Sequence, residues 1–336
     1  MIRPIKQNYT ALLDNIGELL VKGHKTAVQA VNNILVETYW KIGKNIVEYE
    51  QQGTEKAEYG SRLLNRLAKD LKQKYGKGFS KSNVYLMRQF YLKYPKFRTL
   101  SGKLSWSIYC ELLSVSDDLA RSFYEHQCIK ENWSVRELKR QINSSLFERI
   151  ALSKDKKDVL KLAQQGIVID SPQDIVKDPY VFEFLNIPES KNYLEKELED
   201  QLVNKLARFL LELGKGFAFI GQQYRITLNN THYYVDLVFY HRILKCFVLI
   251  DLKQGKVDHQ DIGQMNMYLN YFRAEENTEN DNEPIGIVLA AHKDEILVEY
   301  TLGGISNKLF VSKYQLYLPD KELIRKELQL LLEDKK

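Results

Sequence analysis

The sequence predicts an α+β chain: an N-terminal all-α domain with a helix-turn-helix-like corner, then a domain in which helices surround a mixed sheet. Three observations carry this. Up to about residue 150, apolar residues recur at three- and four-residue intervals, the period of a helix with one buried stripe. From residue 216 onward, short runs rich in Val, Ile, Phe and Tyr are separated by polar breaks, as strands are. Between the two, residues 151–192 lose this regularity and hold three prolines, the mark of a domain junction. A chain of 336 residues is long enough for two cores, and the reading is 1–150, a helical domain; 151–192, a linker; 193–336, a second domain.

Taken in order, ALLDNIGELLVKG, VQAVNNILVETYWKIGKNIVEYEQQ and YGSRLLNRLAKDLKQKYG each read as a helix. Gly76 and Gly78 then interrupt the pattern, and Ser80 is a candidate N-cap for SKSNVYLMRQFYLKY, which must stop before Pro95. That second helix carries Lys81, Ser82, Asn83 and Arg88, which is compatible with a helix-turn-helix reader of DNA. Ser134-x-x-Glu137 is a capping box opening a further helix. Past the junction come a helix over 193–213 and strands GFAFIGQQYRITL, HYYVDLVFY and KCFVLIDL. IGQMNMYLNYFRA then reads as helix, PIGIVLAA as strand and DKELIRKELQLLLEDKK as a closing helix, with EENTENDNEP (275–284) a polar surface loop.

Composition narrows the class. Apolar residues make up 44% and charged residues 28%, values of a globular chain. No run has the length of a membrane span, and MIRPIKQNYTALLDN lacks the apolar block of a signal peptide. Cys110, Cys128 and Cys246 form no CxxC pair, and the six histidines form no HxxxH pair, so neither a disulfide framework nor a zinc site is expected. The expectation is a cytoplasmic protein without a membrane partner. The net charge of +5 is uneven. Residues 1–150 hold 25 Lys/Arg against 15 Asp/Glu, and residues 62–103 hold twelve basic residues and one acid, Asp70. Arg62, Arg66, Lys69, Lys72, Lys81 and Arg88 are therefore candidate phosphate contacts. A solvated helical face is the plainer alternative, and the interleaved Tyr75, Phe79, Tyr85, Phe90 and Tyr91 fit a core as well as a stacking platform.

In YYVDLVFYHRILKCFVLIDLKQGK two apolar runs frame a polar break, a β-hairpin. Each run contains an aspartate, Asp236 and Asp251, with Lys253 two places further on. Alternation puts Asp251 and Lys253 on one face. With HRIL as the loop, Asp236 lies opposite Leu249 and diagonal to Asp251, so all three share a face, and Val235, Leu237, Cys246, Val248 and Ile250 take the other. Any loop of even length keeps this parity; a one-residue slip destroys it. Two neighbouring carboxylates repel unless one is protonated or a cation joins them. Lys253 compensates in part, and Mg²⁺ would do so more fully. A salt bridge at a strand end is the competing reading.

Asp236 followed by Asp251-Leu252-Lys253 resembles the PD-(D/E)XK nuclease signature, and Gln264-Met265-Asn266-Met267-Tyr268 is similar to the Q-x-x-x-Y helix motif of its RecB-type branch. Glu199 in YLEKELEDQL resembles the glutamate on the preceding helix, with Glu195 and Glu197 as rivals. YWKIGKNIVEYEQQG, GKGFSKSNVYLMRQFYLKYP and NWSVRELKRQI in the first half, with FLLELGKGFAFIGQQYRI and GQMNMYLNY in the second, extend the resemblance over nearly the whole chain to the bacterial YhcG-like PD-(D/E)XK family. That family combines a helical N-terminal domain with a restriction-endonuclease-like domain. One departure stands out: the family usually carries Glu where this chain has Asp251, one methylene shorter.

The resemblance implies a Mg²⁺- or Mn²⁺-dependent endonuclease, a hydrolase of phosphodiester bonds, gripping DNA through its basic N-terminal half. Asp236, Asp251, the Leu252 carbonyl and Glu199 would hold the metal. Lys253 would orient water and stabilise the pentacoordinate phosphorus, and Gln264 would position Lys253 or a phosphate, with Tyr268 as its support or as a core aromatic. Gln223 and Arg225 fall near the site; Arg225 reads as a backbone contact or a surface ion pair, and His259 as a loop histidine. The open alternatives are a DNA-binding accessory subunit with an inactive fold, and a nuclease for RNA or branched junctions. A homodimer is expected because cutting both strands needs two centres; restriction-type or mobile-element proteins are the expected partners.

Overall fold

The computed structural model describes residues 5–52, 58–96, 104–152, 154, 156–187, 193–292, 298, 302, 308–318 and 320–333. The chain folds as two compact units, Met1–Arg121 with Gln127–Leu138, and Ser122–His126 with Lys139–Lys336. Among the described residues no helix is long and apolar enough to cross a membrane.

The first unit is helical: α1 (Ile5–Gln52), α2 (Glu58–Tyr75), α3 (Lys81–Lys93) and α4 (Trp106–Leu113). Helices α5 (Asp118–Glu131) and α6 (Val135–Asn143) follow. The two helices expected within 11–52 are one, because only Gly23 interrupts the pattern between them and an internal glycine costs a helix only about 1 kcal/mol. The second half of α1 packs on α3. Gly43 allows this approach, since a Cβ there would run into the Met87 carbonyl. Ile46, Leu64, Ala68 and Val84 fill the space beneath, and the Trp40 indole donates to the Tyr94 carbonyl at 2.8 Å. The expected caps form: Ser80 Oγ accepts the Asn83 N–H at 3.2 Å, and Ser134 and Glu137 bond reciprocally at 2.6 and 3.3 Å.

The second unit contains α7 (Leu146–Leu152), α8 (Lys156–Gln165), β1 (Tyr180–Val181), α9 (Glu195–Asn204), α10 (Leu206–Leu213), β2 (Phe217–Leu228), β3 (Thr231–His241), β4 (Cys246–Lys256), α11 (His259–Tyr271), β5 (Ile285–His292), β6 (Lys308–Gln315) and α12 (Lys321–Glu333). Six strands form one sheet in the order β1-β6-β5-β4-β3-β2. β1, β6, β5 and β4 run parallel, and β3 and β2 are antiparallel neighbours. Val248–Leu252 of β4 and Ile285–Ala290 of β5 are buried on both faces, as their nearly continuous apolar runs require. Leu198 and Leu202 of α9 and Phe209 and Leu213 of α10 cover one face; Met265, Tyr268 and Leu269 of α11 cover the other. Gly286 on β5 sets how closely α11 sits, because a Cβ there would lie 2.7 Å from Met265 Cγ and 2.9 Å from its Sδ.

Several boundaries differ from the expected ones. The helix over 193–213 breaks at Lys205, whose ammonium leaves the helical line to donate to the Phe184 and Leu185 carbonyls at 3.0 and 2.8 Å. Residues 151–192, read as a linker, supply β1 and the buried Tyr180, Phe182, Phe184 and Leu185. Strand β6 was not anticipated. Of the polar loop at 275–284, the first two residues close a π-helical turn, Phe272–Glu276.

A buried charge cluster lies close to the expected boundary at residue 150. Glu212 of α10 is completely buried. It meets Arg149 at 2.9 Å and Arg140 at 3.1 Å, and accepts the Val181 N–H at 3.0 Å. Lys177 donates to its backbone carbonyl. Burial works against this carboxylate, but Arg149, Lys177 and Arg140 override it and hold the pKa down at about 2. Arg140 and Arg149, placed by sequence in the helical domain, thus belong electrostatically with the sheet. Glu212→Ala leaves the Arg149 guanidinium and the Lys177 ammonium buried without their counter-charge, while Arg140 keeps Glu183 at 3.0 Å; urea titration should show a loss of about 3–5 kcal/mol. In the wild type this contribution is full above the unfolded carboxylate pKa of about 4.3 and is lost as pH falls through about 2. Gly286→Ala, which pushes Met265 and α11 off the sheet, should cost about 1–3 kcal/mol on the same measurement.

Candidate active site

The site grows from the β3–β4 hairpin. His241 pairs with Cys246 and Leu237 with Ile250, so the loop is Arg242–Lys245 rather than HRIL. The shift is an even number of residues, and the inferred parity survives it: Asp236 comes level with Asp251 instead of diagonal to it. Buried His241 fixes the loop, its Nδ1 accepting the Leu244 N–H at 3.1 Å and its Nε2 bonding the Lys215 carbonyl at 3.0 Å. Opposite it, Gly216 at φ 104° leaves room that a Cβ would fill. Val235 does not share a cluster with Leu237. It packs with Val238 and Leu249 on the α11 side, where β3 parts from β4.

Beyond Leu237 and Ile250 the two strands no longer pair. The Leu252 N–H, deprived of a ladder partner, donates to Asp236 Oδ2 at 2.8 Å. A residue's carbonyl leaves a strand on the same side as its N–H, so the Leu252 oxygen also turns toward Asp236. Lys253 Nζ lies 2.9 Å from Asp251 Oδ2 and 3.3 Å from Asp261 Oδ1. The two aspartates and the lysine therefore converge. The Asp251 pKa is raised to about 7, first by burial and then by the Asp236 charge. Asp236 is raised as well, mainly by burial. Burial disfavours the Lys253 charge, but Asp251 and then Asp261 and Glu195 outweigh it, so the ammonium is held more firmly than usual.

Of the three glutamates, Glu199 is the one tied to Asp236. It is buried on α9, and Gln223 Nε2 joins its Oε2 at 2.7 Å to Asp236 Oδ1 at 3.1 Å. Gln223 achieves this from a left-handed backbone, φ 48°, just past an irregularity in the β2–β3 register. Glu195 instead accepts the Gln254 N–H at 2.9 Å, and Glu197 caps α9 by accepting the Leu194 N–H at 3.3 Å. Gln264 donates to the Tyr268 hydroxyl at 2.6 Å, and that hydroxyl donates to the Tyr234 carbonyl at 2.9 Å. Tyr268 is thus a core aromatic and the support for Gln264 together. His259 is the first residue of α11, capped by Asp258. Asp261 was missed, although Asp258-His259-Gln260-Asp261 after a strand has the capping-box spacing that fixes it.

The donors are oxygens, which suits a hard divalent cation, and Glu199 Oε1 is buried with no hydrogen-bond partner. Among the described residues no group of three or more His, Cys, Asp or Glu side chains is gathered as a metal cage. An ion here would depend on the aspartate pair, the Leu252 carbonyl, Glu199 and water.

In the first unit Arg62, Arg66, Lys69 and Lys72 are exposed along α2, and Lys81 opens α3 exposed. Arg66 has a loose partner in Asp70 at 3.8 Å. Arg88 is bound to Glu50 at 2.7 Å and half-buried. Asn83 donates to the Gly78 carbonyl at 2.5 Å and accepts from the Trp106 indole at 2.7 Å. The helix-turn-helix corner forms, but two of its four polar side chains are committed to holding it.

Residues 15–149 match the family described as DUF1016 N-terminal domain, and residues 173–329 match the YhcG PDDEXK nuclease domain. A protein of Escherichia coli (strain K12) named "Putative nuclease YhcG" is 38% identical over 97% of this chain and 96% of its own length. Two solved structures have weaker likeness. A repair endonuclease from Pyrococcus abyssi is 20% identical over 39% of this chain and 50% of that one, with a TM-score of 0.27. EndoMS in complex with double-stranded DNA is 14% identical over 40% and 50%, with a TM-score of 0.28. With both halves matched, and a relative aligned almost from end to end, the chain belongs to the YhcG family of PD-(D/E)XK nucleases.

Proposed function

We propose that this nuclease hydrolyses DNA phosphodiesters with Mg²⁺ or Mn²⁺, at the site formed by Asp236, Asp251 and Lys253. The observation that supports it best is the convergence of two carboxylates of raised pKa with a firmly protonated lysine at the parting of β3 and β4. Asp236, Asp251, the Leu252 carbonyl and Glu199 hold the cation, which when bound supplies Lewis-acid polarisation of the phosphate and a more acidic water. Lys253, whose ammonium the neighbouring acids stabilise, donates hydrogen bonds to the attacking water and to the phosphate oxygen on which charge accumulates. Water forms one P–O bond as the bond to a sugar oxygen breaks; the attacking water gives up its proton to solvent, and the leaving oxygen takes one from solvent. Gln223 keeps Glu199 and Asp236 in register, and Gln264, anchored by Tyr268, faces the substrate side. The exposed Arg62, Arg66, Lys69 and Lys72 grip the backbone.

The test incubates the purified chain with supercoiled, linear, single-stranded and branched DNA, and with RNA, in Mg²⁺, Mn²⁺ or EDTA. Cutting of DNA in Mg²⁺ or Mn²⁺ and none in EDTA is expected. Asp236→Ala should abolish cutting, together with any rise in melting temperature caused by the metal, and Lys253→Ala should slow it about 10²–10³-fold. Equal nicking by wild type and Asp236→Ala would remove the assignment; preference for RNA would move the substrate. Binding without cutting would leave an accessory subunit. Reversing the charge of Arg62, Arg66, Lys69 and Lys72 should weaken DNA binding and flatten its salt dependence by up to about 0.9 per lost phosphate contact. Unchanged affinity would make that helix ordinary surface.

A further inference from the structure

Residues 5–35 of the long N-terminal helix have no part in the nuclease chemistry, yet they are strongly patterned. In α1 the first buried side chain is Val36. Before it, Tyr9, Leu12, Leu13, Ile16, Leu19 and Leu20 fall on one stripe at helical spacing, and Val31 and Ile34 continue it. All eight are 48–69% exposed. Asp14, Glu18, Lys22 and Lys25 lie on the opposite side of the helix, and the stripe is about 120° wide, with Val21, Val28 and Leu35 exposed beside it. Between its two apolar blocks the stripe is lined by small residues, Gly23, Ala27 and Ala30. A Cβ on Gly23 would meet nothing within 4 Å. Its own chain therefore gives no packing reason for a glycine that lowers helix stability by about 1 kcal/mol.

We infer that this stripe is the interface with a second copy of the chain, the two helices pairing antiparallel around a two-fold axis near residues 21 and 22. In that register Leu13 faces Ala30, Ile16 faces Ala27 and Leu20 faces Gly23, so in the central stretch three large side chains each meet a small one, and Leu19 faces His24. Tyr9 and Leu12 meet Ile34 and Val31 at the ends. Parallel pairing would set large against large in one stretch and leave voids at Gly23, Ala27 and Ala30 in the next, against the close packing that interfaces require. The area is adequate. Eight side chains exposed by about half or more, at about 50–80 Å² each, give on the order of 500 Å² per chain. Flanking groups along a seam of about 40 Å bring the pair near the 1,200 Å² at which stable interfaces begin.

Sedimentation of the full chain reads this directly. The wild type is expected at twice 39.4 kDa, and Ile16→Glu/Leu20→Glu at 39.4 kDa with an unchanged helical CD spectrum. Orientation is read by oxidative crosslinking. Ile16→Cys/Ala27→Cys should yield covalent dimer, while Ile16→Cys alone should not, because antiparallel copies keep those positions about 16 Å apart. A monomeric wild type, a dimer that survives the two glutamates, or a crosslink through Ile16→Cys alone would each overturn the pairing.

Discussion

The second unit turns on the place where β3 stops pairing with β4. A backbone N–H left without its ladder partner at the end of a sheet must find another acceptor, and here the acceptor is a side chain. Asp236 takes the Leu252 N–H, which fixes its carboxylate beside Asp251 and turns the Leu252 backbone toward the same point. The chemistry of the site is thus an outgrowth of sheet geometry: two strands must separate before two carboxylates can be brought so close. Burial and mutual repulsion then raise both acids, and Lys253, between Asp251 and Asp261, is the charge that makes the arrangement tolerable.

A second buried charge cluster has a different character. Around Glu212 the cations outnumber the acid, and the carboxylate is driven toward full ionisation. At Asp251 the balance runs the other way and the proton is retained into the neutral range. Both clusters lie in one unit and both contain buried acids. They differ because Glu212 faces two guanidinium groups and an ammonium, whereas Asp251 faces another acid and a lysine that Asp261 shares. Structure and chemistry use the same electrostatics with opposite signs of frustration.

Much of this was legible in the residues. Alternation along the strands put Asp236, Asp251 and Lys253 on one face, and because side-chain parity has a period of two, a cross-strand register displaced by two residues did not disturb that inference. The caps at Ser80 and Ser134 were local and read correctly. What remained hidden was non-local. The choice of Glu199 over Glu195 and Glu197 depends on where Gln223 reaches, and Gln223 is aimed by a left-handed backbone no pattern announces. The placement of Arg140 and Arg149 follows from a carboxylate more than sixty residues away, and β1 is two residues long, too short for any periodicity. Lys205 reads as an ordinary helical lysine until the carbonyls of Phe184 and Leu185 are seen beside it.

Gln223 carries a contradiction. Its backbone, at φ 48°, suits glycine or asparagine, and a longer residue is held there against about 1–2 kcal/mol of steric preference. Its side chain must be long, since it spans two acids on different elements. Local comfort and reach pull this position in opposite directions, so it is a place where drift toward an easier residue would leave the architecture intact and silently unfasten the acids.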